Sequence, residues 1–201
     1  MRPKDQEKSE LGKNAALFLD RDGVINIDYG YVHTIQNFHF IDGIFDLARL
    51  AHQYNYKIII ITNQSGIARR LYTENQFHQL TEWMCDQFFI RGGEISKVYF
   101  SPYHPTAGFG SFRIDHISRK PRPGMILQAK SDFDLSLKKS ILIGDKMSDI
   151  QAGAAAGVGT NIFFGKGGCE GPLSPKFTFV KTMADASKFL INQSLPSLHN
   201  K

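Results

Sequence analysis

Five short apolar runs bounded by polar residues set the rhythm of the chain: residues 15–19, 57–61, 97–100, 140–143 and 160–164. Continuous runs of this length are the pattern of strands covered on both faces, so they predict a parallel sheet between layers of helix. The clearest is 57–61, with four successive isoleucines. Between the runs the apolar period becomes that of a helix. Ile44, Leu47, Ala48 and Ala51 share one face. Thr73 and Gln76 form a capping-box pair ahead of Phe77, Leu80, Met84 and Phe88, which predicts a helix over 73–91 with Trp83 as packing. Further helices are expected over 125–134 and 150–156, the latter closing at Gly157, and a last strand and helix within 177–193. The alternation of strand and helix gives an α/β fold.

Two connections are too long for simple turns. About twenty residues separate the first strand from the helix near Asp42, whereas βα connections usually take ~2–6. The segment 24–41 carries Asp28-Tyr29-Gly30-Tyr31 and then Phe38, His39 and Phe40, which suits a small hairpin flap over a crevice; the alternative is a hairpin packed on its own aromatics. The second, 101–123, ends in Arg119-Lys120-Pro121-Arg122-Pro123. Its prolines hold the backbone extended, so Arg119 and Lys120 are presented either as a fixed cation pair for a phosphorylated substrate or as a solvated basic patch.

Polar residues with chemical uses sit where the runs end. Asp20 and Asp22 follow the first, Thr62-Asn63-Gln64-Ser65 the second, and Asp145-Lys146 with Asp149 the fourth. In a parallel sheet these ends meet at one edge, where open α/β sheets bind ligands. Paired carboxylates suit Mg²⁺, which takes oxygen ligands and substrate phosphate. Thr62 and Lys120 can then receive phosphoryl oxygens.

Composition narrows the picture. With 201 residues one domain is expected, as a tail at 1–14 and a single folded unit over 15–195. A charge of +5 is too mild to argue for nucleic acid. No apolar stretch approaches a membrane span and the polar N-terminus has no secretory pattern, which leads us to expect a cytoplasmic protein. Cys85 and Cys169 have no disulfide or zinc spacing and are expected to be free thiols.

The string Phe18-Leu19-Asp20-Arg21-Asp22-Gly23, with Thr62, Lys120 and Gly144-Asp145-x-x-x-Asp149 in order, resembles the four motifs of the haloacid dehalogenase superfamily of phosphohydrolases. Within it, Asp28-Tyr29-Gly30-Tyr31-Val32, Thr62-Asn63-Gln64-Ser65-Gly66-Ile67-Ala68-Arg69 and Arg119-Lys120-Pro121-Arg122-Pro123-Gly124 are similar to the heptose 1,7-bisphosphate 7-phosphatase family, close to the histidinol-phosphatase branch. The resemblance implies a Rossmann-like three-layer α/β/α fold. It implies Asp20 as nucleophile forming an aspartyl-phosphate, Asp22 as acid and base, and Thr62 and Lys120 as phosphoryl clamps. Mg²⁺ would be held by Asp20, the Asp22 carbonyl and Asp145. Substrate contacts would come from Asp28, Tyr29, Gly30, Tyr31, Asn63, Gln64, Ser65, Arg119 and Lys146. Asp149 would either support the metal site or Lys120, or stabilise a helix start. The implied partner is a small phosphorylated sugar of the lipopolysaccharide-heptose pathway, with no nucleic acid or membrane, bound by a monomer; histidinol phosphate or another small phosphomonoester is the nearest rival substrate, and a polynucleotide 3′-phosphatase is a further rival that the modest charge and the absence of an added domain speak against. A non-catalytic phosphate-binding protein would require one of the acids to be missing.

Members of this family often carry zinc in the loop before Arg119-Lys120, on cysteines and a histidine. The matching positions here are Ser101, Tyr103, His116 and Ser118. Hydroxyls are poor zinc ligands, so structural zinc is not expected and the loop should be ordered by its prolines and aromatics.

Overall fold

In a computed structural model that describes residues 14–165 and 175–194, six strands form one sheet. They are β1 (Ala16–Leu19), β2 (Lys57–Asn63), β3 (Ile95–Ser101), β4 (Ile141–Gly144), β5 (Thr160–Phe164) and β6 (Thr178–Val180), in the order β3-β2-β1-β4-β5-β6. All pairings are parallel. The helices are α1 (Ile44–Gln53), α2 (Ser65–Ala68), α3 (Glu74–Ile90), α4 (Gly124–Phe133), α5 (Met147–Ala156) and α6 (Met183–Ser194). Residues 1–13 of the expected tail, and Cys169, fall outside the described residues. Asn14, expected to end that tail, already bridges Leu135.

Strand alternation divides the core between two faces. Leu17, Leu19, Ile58 and Ile60 pack against α1, α3 and α6 through Leu47, Met84 and Leu190. Ala16, Phe18, Ile59 and Ile61 pack against α4 and α5 through Ile126, Ala129 and Ile150. This is the expected three-layer α/β/α architecture. Slipping β2 by one residue would exchange its faces, and with both covered by close-packed helices the register is fixed. The capping box is present, with Gln76 N donating to Thr73 Oγ1 at 3.1 Å and Thr73 N to Gln76 Oε1 at 2.8 Å. Such a cap contributes about 0.5–2 kcal/mol to the start of α3.

Two features of topology place the site. The chain runs outward from β1 to β2 and β3 and then crosses back to β4, so the strand order reverses between β1 and β4. At that reversal the loops leaving neighbouring strands diverge and open a crevice. The second feature is the flap. It folds back by a minimal pairing, with Ile27 N donating to His39 O, Ile41 N to Ile25 O, and a bridge between Asn26 and Phe40. The rest is irregular save one 3₁₀ turn at Ile35–Asn37. Phe38 and Phe40 pack on Trp83 with ring centroids 5.6 and 5.7 Å away, so both sequence readings of this segment hold in part. Its base is an aromatic anchor, and its tip reaches the crevice. Among the described residues no helix is long and apolar enough to cross a membrane.

Candidate active site

Adjacent strand ends deliver the expected groups together. Asp20 follows β1, Thr62 and Asn63 close β2, and Asp145 follows β4. Lys120 arrives from the loop after β3 and is fixed by Asn63, which donates from Nδ2 to Lys120 O and accepts at Oδ1 from Lys120 N, both at 3.0 Å. Its side chain is buried. The ammonium donates to Ile61 O at 2.8 Å and lies 2.8 Å from Asp20 Oδ1 and 2.6 Å from Asp149 Oδ1. An ammonium has three donors, and these three oxygens occupy them.

Asp149 serves both roles left open by the sequence. While one oxygen meets Lys120, the other accepts from Lys146 N at 3.0 Å and caps the start of α5. One oxygen each of Asp20, Asp145 and Asp149 come within 4.8 Å of one another. Two glycines permit this crowding. Gly23 has φ +93°, and a Cβ there would stand 2.2 Å from Asp145 Oδ2; a Cβ on Gly144 would stand 2.2 Å from the Asp149 Cβ.

Three carboxylates meet one buried ammonium, Lys120, and one half-exposed ammonium, Lys146, whose Nζ lies 3.8 Å from Asp145 Oδ2, which leaves an excess of negative charge. Burial, helped by Asp149 and Asp145 against the opposing Lys120, pushes Asp20 up to about 7. Burial likewise pushes Asp145 up to about 6. Burial works against the charge on Lys120, but Asp149 and Asp20 hold its pKa above the usual lysine value. Asp145 Oδ1 is buried without a hydrogen-bond partner. Excess charge, hard oxygen donors and one orphaned oxygen fit a divalent cation such as Mg²⁺.

Asp22 is oriented differently. Its carboxylate turns toward Arg21 and also accepts from Asn26 Nδ2 and Gln64 Nε2, each at 3.0 Å. The metal-like carboxylate group is therefore Asp20, Asp145 and Asp149, and a role for Asp22 there rests on its backbone carbonyl. Gln64 Nε2 also donates to Thr62 Oγ1 at 2.8 Å, which leaves the threonine hydroxyl hydrogen for an acceptor in the cavity. Tyr72 OH in turn donates to Gln64 Oε1. Sequence reasoning had passed over Arg21 and Tyr72. A cation between two acids at a buried strand end was the available signal for the first; Tyr72 gave none.

The cavity bounded by these groups has a volume of about 490 Å³. Of the expected substrate contacts, Asp28, Gly30, Tyr31, Asn63, Gln64, Ser65, Arg119 and Lys146 all line it. Tyr29 does not: its ring is exposed and packs edge-on against His39. Lys146 Nζ lies 3.0 Å from Asp28 Oδ2 and so joins the flap tip to the loop after β4. Burial and the nearby Arg69 lower the pKa of Arg119, which lines the rim.

The loop at 101–118 is fastened by neutral groups together with the Arg119 guanidinium and an exposed Asp115–Arg122 ion pair. Ser118 Oγ lies 3.1 Å from Ser101 Oγ and 2.7 Å from His116 Nδ1. The Tyr103 ring packs on His116 with centroids 4.3 Å apart, and Arg119 Nη1 donates to Tyr103 O at 2.9 Å. The aromatic fastening matches expectation, and the serine hydroxyls add a part that the sequence reading had not assigned.

The model of the polynucleotide kinase 3 phosphatase family matches residues 22–163. The D-glycero-alpha-D-manno-heptose-1,7-bisphosphate 7-phosphatase of Burkholderia mallei is 55% identical over 150 residues, 75% of this chain and 79% of that protein. The D-glycero-beta-D-manno-heptose-1,7-bisphosphate 7-phosphatase of Escherichia coli O6:H1 is 40% identical over 187 residues, 90% of this chain and 97% of that protein. Among solved structures, D,D-heptose 1,7-bisphosphate phosphatase from B. bronchiseptica, complexed with magnesium and phosphate, superposes with a TM-score of 0.79 at 24% identity, covering 89% of this chain and 99% of the other.

Proposed function

The chain belongs to the polynucleotide kinase 3 phosphatase family and, among haloacid dehalogenase-superfamily phosphatases, to the heptose 1,7-bisphosphate 7-phosphatases, and we propose that it removes the 7-phosphate of D-glycero-D-manno-heptose 1,7-bisphosphate through an aspartyl-phosphate on Asp20. The observation that carries this reading is the convergence at one sheet edge of Asp20, Thr62 and Lys120, which line a cavity shared with Arg119, and of Asp145, which clusters with Asp20. A bisphosphate brings one phosphate to the edge and needs a cation for the other, which Arg119, lining the same cavity, would supply.

Asp20 needs no base to activate it, since a carboxylate attacks phosphorus once ionised. One of its oxygens forms the new bond to phosphorus as the bond from phosphorus to the sugar oxygen breaks. The departing oxygen takes the electron pair and a proton from Asp22, leaving as the sugar hydroxyl. Water then attacks phosphorus, gives its proton to Asp22, and releases Asp20 and inorganic phosphate. Lys120 and the Thr62 hydroxyl hold the phosphoryl oxygens through both steps, and donors fixed beforehand are most useful there. Asp20, Asp145 and the Asp22 backbone carbonyl would hold Mg²⁺, which when bound offsets the repulsion between carboxylate and phosphate. The product, a heptose 1-phosphate, suits the supply of nucleotide-activated heptose for lipopolysaccharide.

The test is phosphate release with Mg²⁺ from heptose 1,7-bisphosphate and from histidinol phosphate in parallel, with the Asp20→Asn protein as blank. A strong preference for the bisphosphate, absent in the blank, is expected. Comparable rates on both would leave a phosphatase of other specificity.

A further inference from the structure

Among the described residues Arg21 is the largest side chain to be fully buried, at 1% exposure. It sits between the two motif acids, and its backbone N donates to Asp20 Oδ1 at 2.7 Å. Its guanidinium grips the next residue: Nε lies 3.1 Å and Nη2 2.8 Å from Asp22 Oδ2, and Nη2 is 2.9 Å from Asp22 Oδ1. Nη2 also donates to Val32 O in the flap at 2.7 Å. The guanidinium carbon is 6.0 Å from the Phe38 ring centroid and 5.9 Å from that of Phe77, so an aromatic of the flap and one of α3 flank it.

A buried guanidinium is unfavourable unless an anion and hydrogen bonds compensate it. Among the described residues, the anion in contact with Arg21 is Asp22. Arginine is suited to this because its planar fork fixes the direction of a carboxylate as well as its charge. With Asn26 and Gln64 completing the shell, the Asp22 carboxylate has one defined aim, set jointly by the flap, β2's end and Arg21.

We infer that Arg21 is a positioning residue for proton transfer: it aims the Asp22 carboxylate at the leaving oxygen and, through Val32 and Phe38, makes that aim depend on the seating of the flap. The inference rests on the acid and base role of Asp22 proposed above. No electron transfer is added, since the proton passes between Asp22 and the sugar oxygen as before.

The test uses leaving-group dependence with saturating Mg²⁺. A sugar alkoxide needs a proton to depart, whereas the nitrophenolate of p-nitrophenyl phosphate does not. First-turnover release is measured for both substrates with wild type, Arg21→Met, Arg21→Lys and Asp22→Asn. General acid assistance is worth about 10²–10⁴-fold, so Arg21→Met should slow release from the sugar phosphate by about 10²-fold and from the aryl phosphate by less than about 5-fold. Arg21→Lys keeps the buried cation, and with it the fold, but loses the fork. It should show a smaller loss, of about 10-fold, confined to the sugar phosphate. Equal losses on both substrates for Arg21→Lys, or none on either, would overturn the inference and leave Arg21 a purely structural residue. Should Asp22→Asn itself show no discrimination between leaving groups, the acid role of Asp22 is what fails. Discrimination by Asp22→Asn without discrimination by Arg21→Lys sinks only the positioning role.

Discussion

The sheet edge around Lys120 and the neighbouring loop at 101–118 are held by opposite means. At the edge the central contacts are charged and dry: Lys120 meets Asp20 and Asp149 with almost no exposure on any of the three. In the loop the contacts are mostly hydroxyl, imidazole and tilted rings, part-buried, with an exposed Asp115–Arg122 ion pair. The two regions touch, because Gln64 N donates to Ser101 O at 2.7 Å. The difference matters for what each can lose. Removing one member of a buried charged group strands the others, whereas a neutral fastening contributes little per contact and can be exchanged for another kind.

The largest effect should come from Asp20→Asn, which removes the attacking oxygen's charge. Turnover should fall by about 10⁴-fold or more, as for other nucleophile knockouts. The fold should hold, because the change also relieves crowding among three carboxylates, and the thermal midpoint should not fall. Residual turnover within 10-fold of wild type would rule out the covalent route. Next in size is Lys120→Met. Breaking a buried pair by removing one partner costs about 3–5 kcal/mol, read as a lower denaturant midpoint, and activity should vanish with it. A cost below about 1 kcal/mol would mean that charge does not organise the edge.

The edge should also respond to pH. Asp20 and Asp145 have pKa values raised to about 7 and about 6 in the folded chain, against about 3.9 for a free aspartate. Between those limits the folded state holds more protons than the unfolded one, so stability falls as pH rises from about 4 to 7. Mg²⁺ opposes this by binding the ionised form. Its addition should raise the thermal midpoint more at pH 7.5 than at pH 5. An equal rise at both would show that the ion does not engage these carboxylates. The Asp20→Asn protein should show a smaller pH dependence than wild type, because one of the two raised groups is gone.

Most of the fold was legible from the chain because burial on two faces leaves a plain mark: four isoleucines in a row, or a capping box before a regular apolar stripe. The strand ends were legible for a related reason, since topology alone brings Asp20, Thr62 and Asp145 together whatever their side chains do. Direction was not legible. Nothing periodic constrains a side chain in a loop, so Tyr29 and Tyr31 read alike in sequence although only Tyr31 lines the cavity. Asp22 and Asp149 show the same limit: the first turns away from its fellow acids and the second turns in. The burial of Arg21 was hidden because arginine in a loop is ordinarily solvated, and only the flap closing over it makes the site dry.

The smallest effect should be found in the loop, and it sharpens the contrast most directly. Ser118→Ala removes a hydroxyl that lies between Ser101 and His116. A neutral hydrogen bond contributes about 0.5–1.5 kcal/mol, so the denaturant midpoint should shift only slightly. Arg119 remains tied to Tyr103 O, and the tilted Tyr103–His116 ring contact is untouched. Turnover of the bisphosphate should therefore stay within about 3-fold of wild type. A zinc-selective chelator, with Mg²⁺ kept in excess, should leave the thermal midpoint of both proteins unchanged, since oxygen donors at positions 101 and 118 suit zinc poorly. A loss of several kcal/mol in Ser118→Ala, or a midpoint that drops on zinc chelation, would show that the loop depends on a concentrated, metal-like fastening after all. The edge and the loop would then be held by the same physics rather than by opposite kinds.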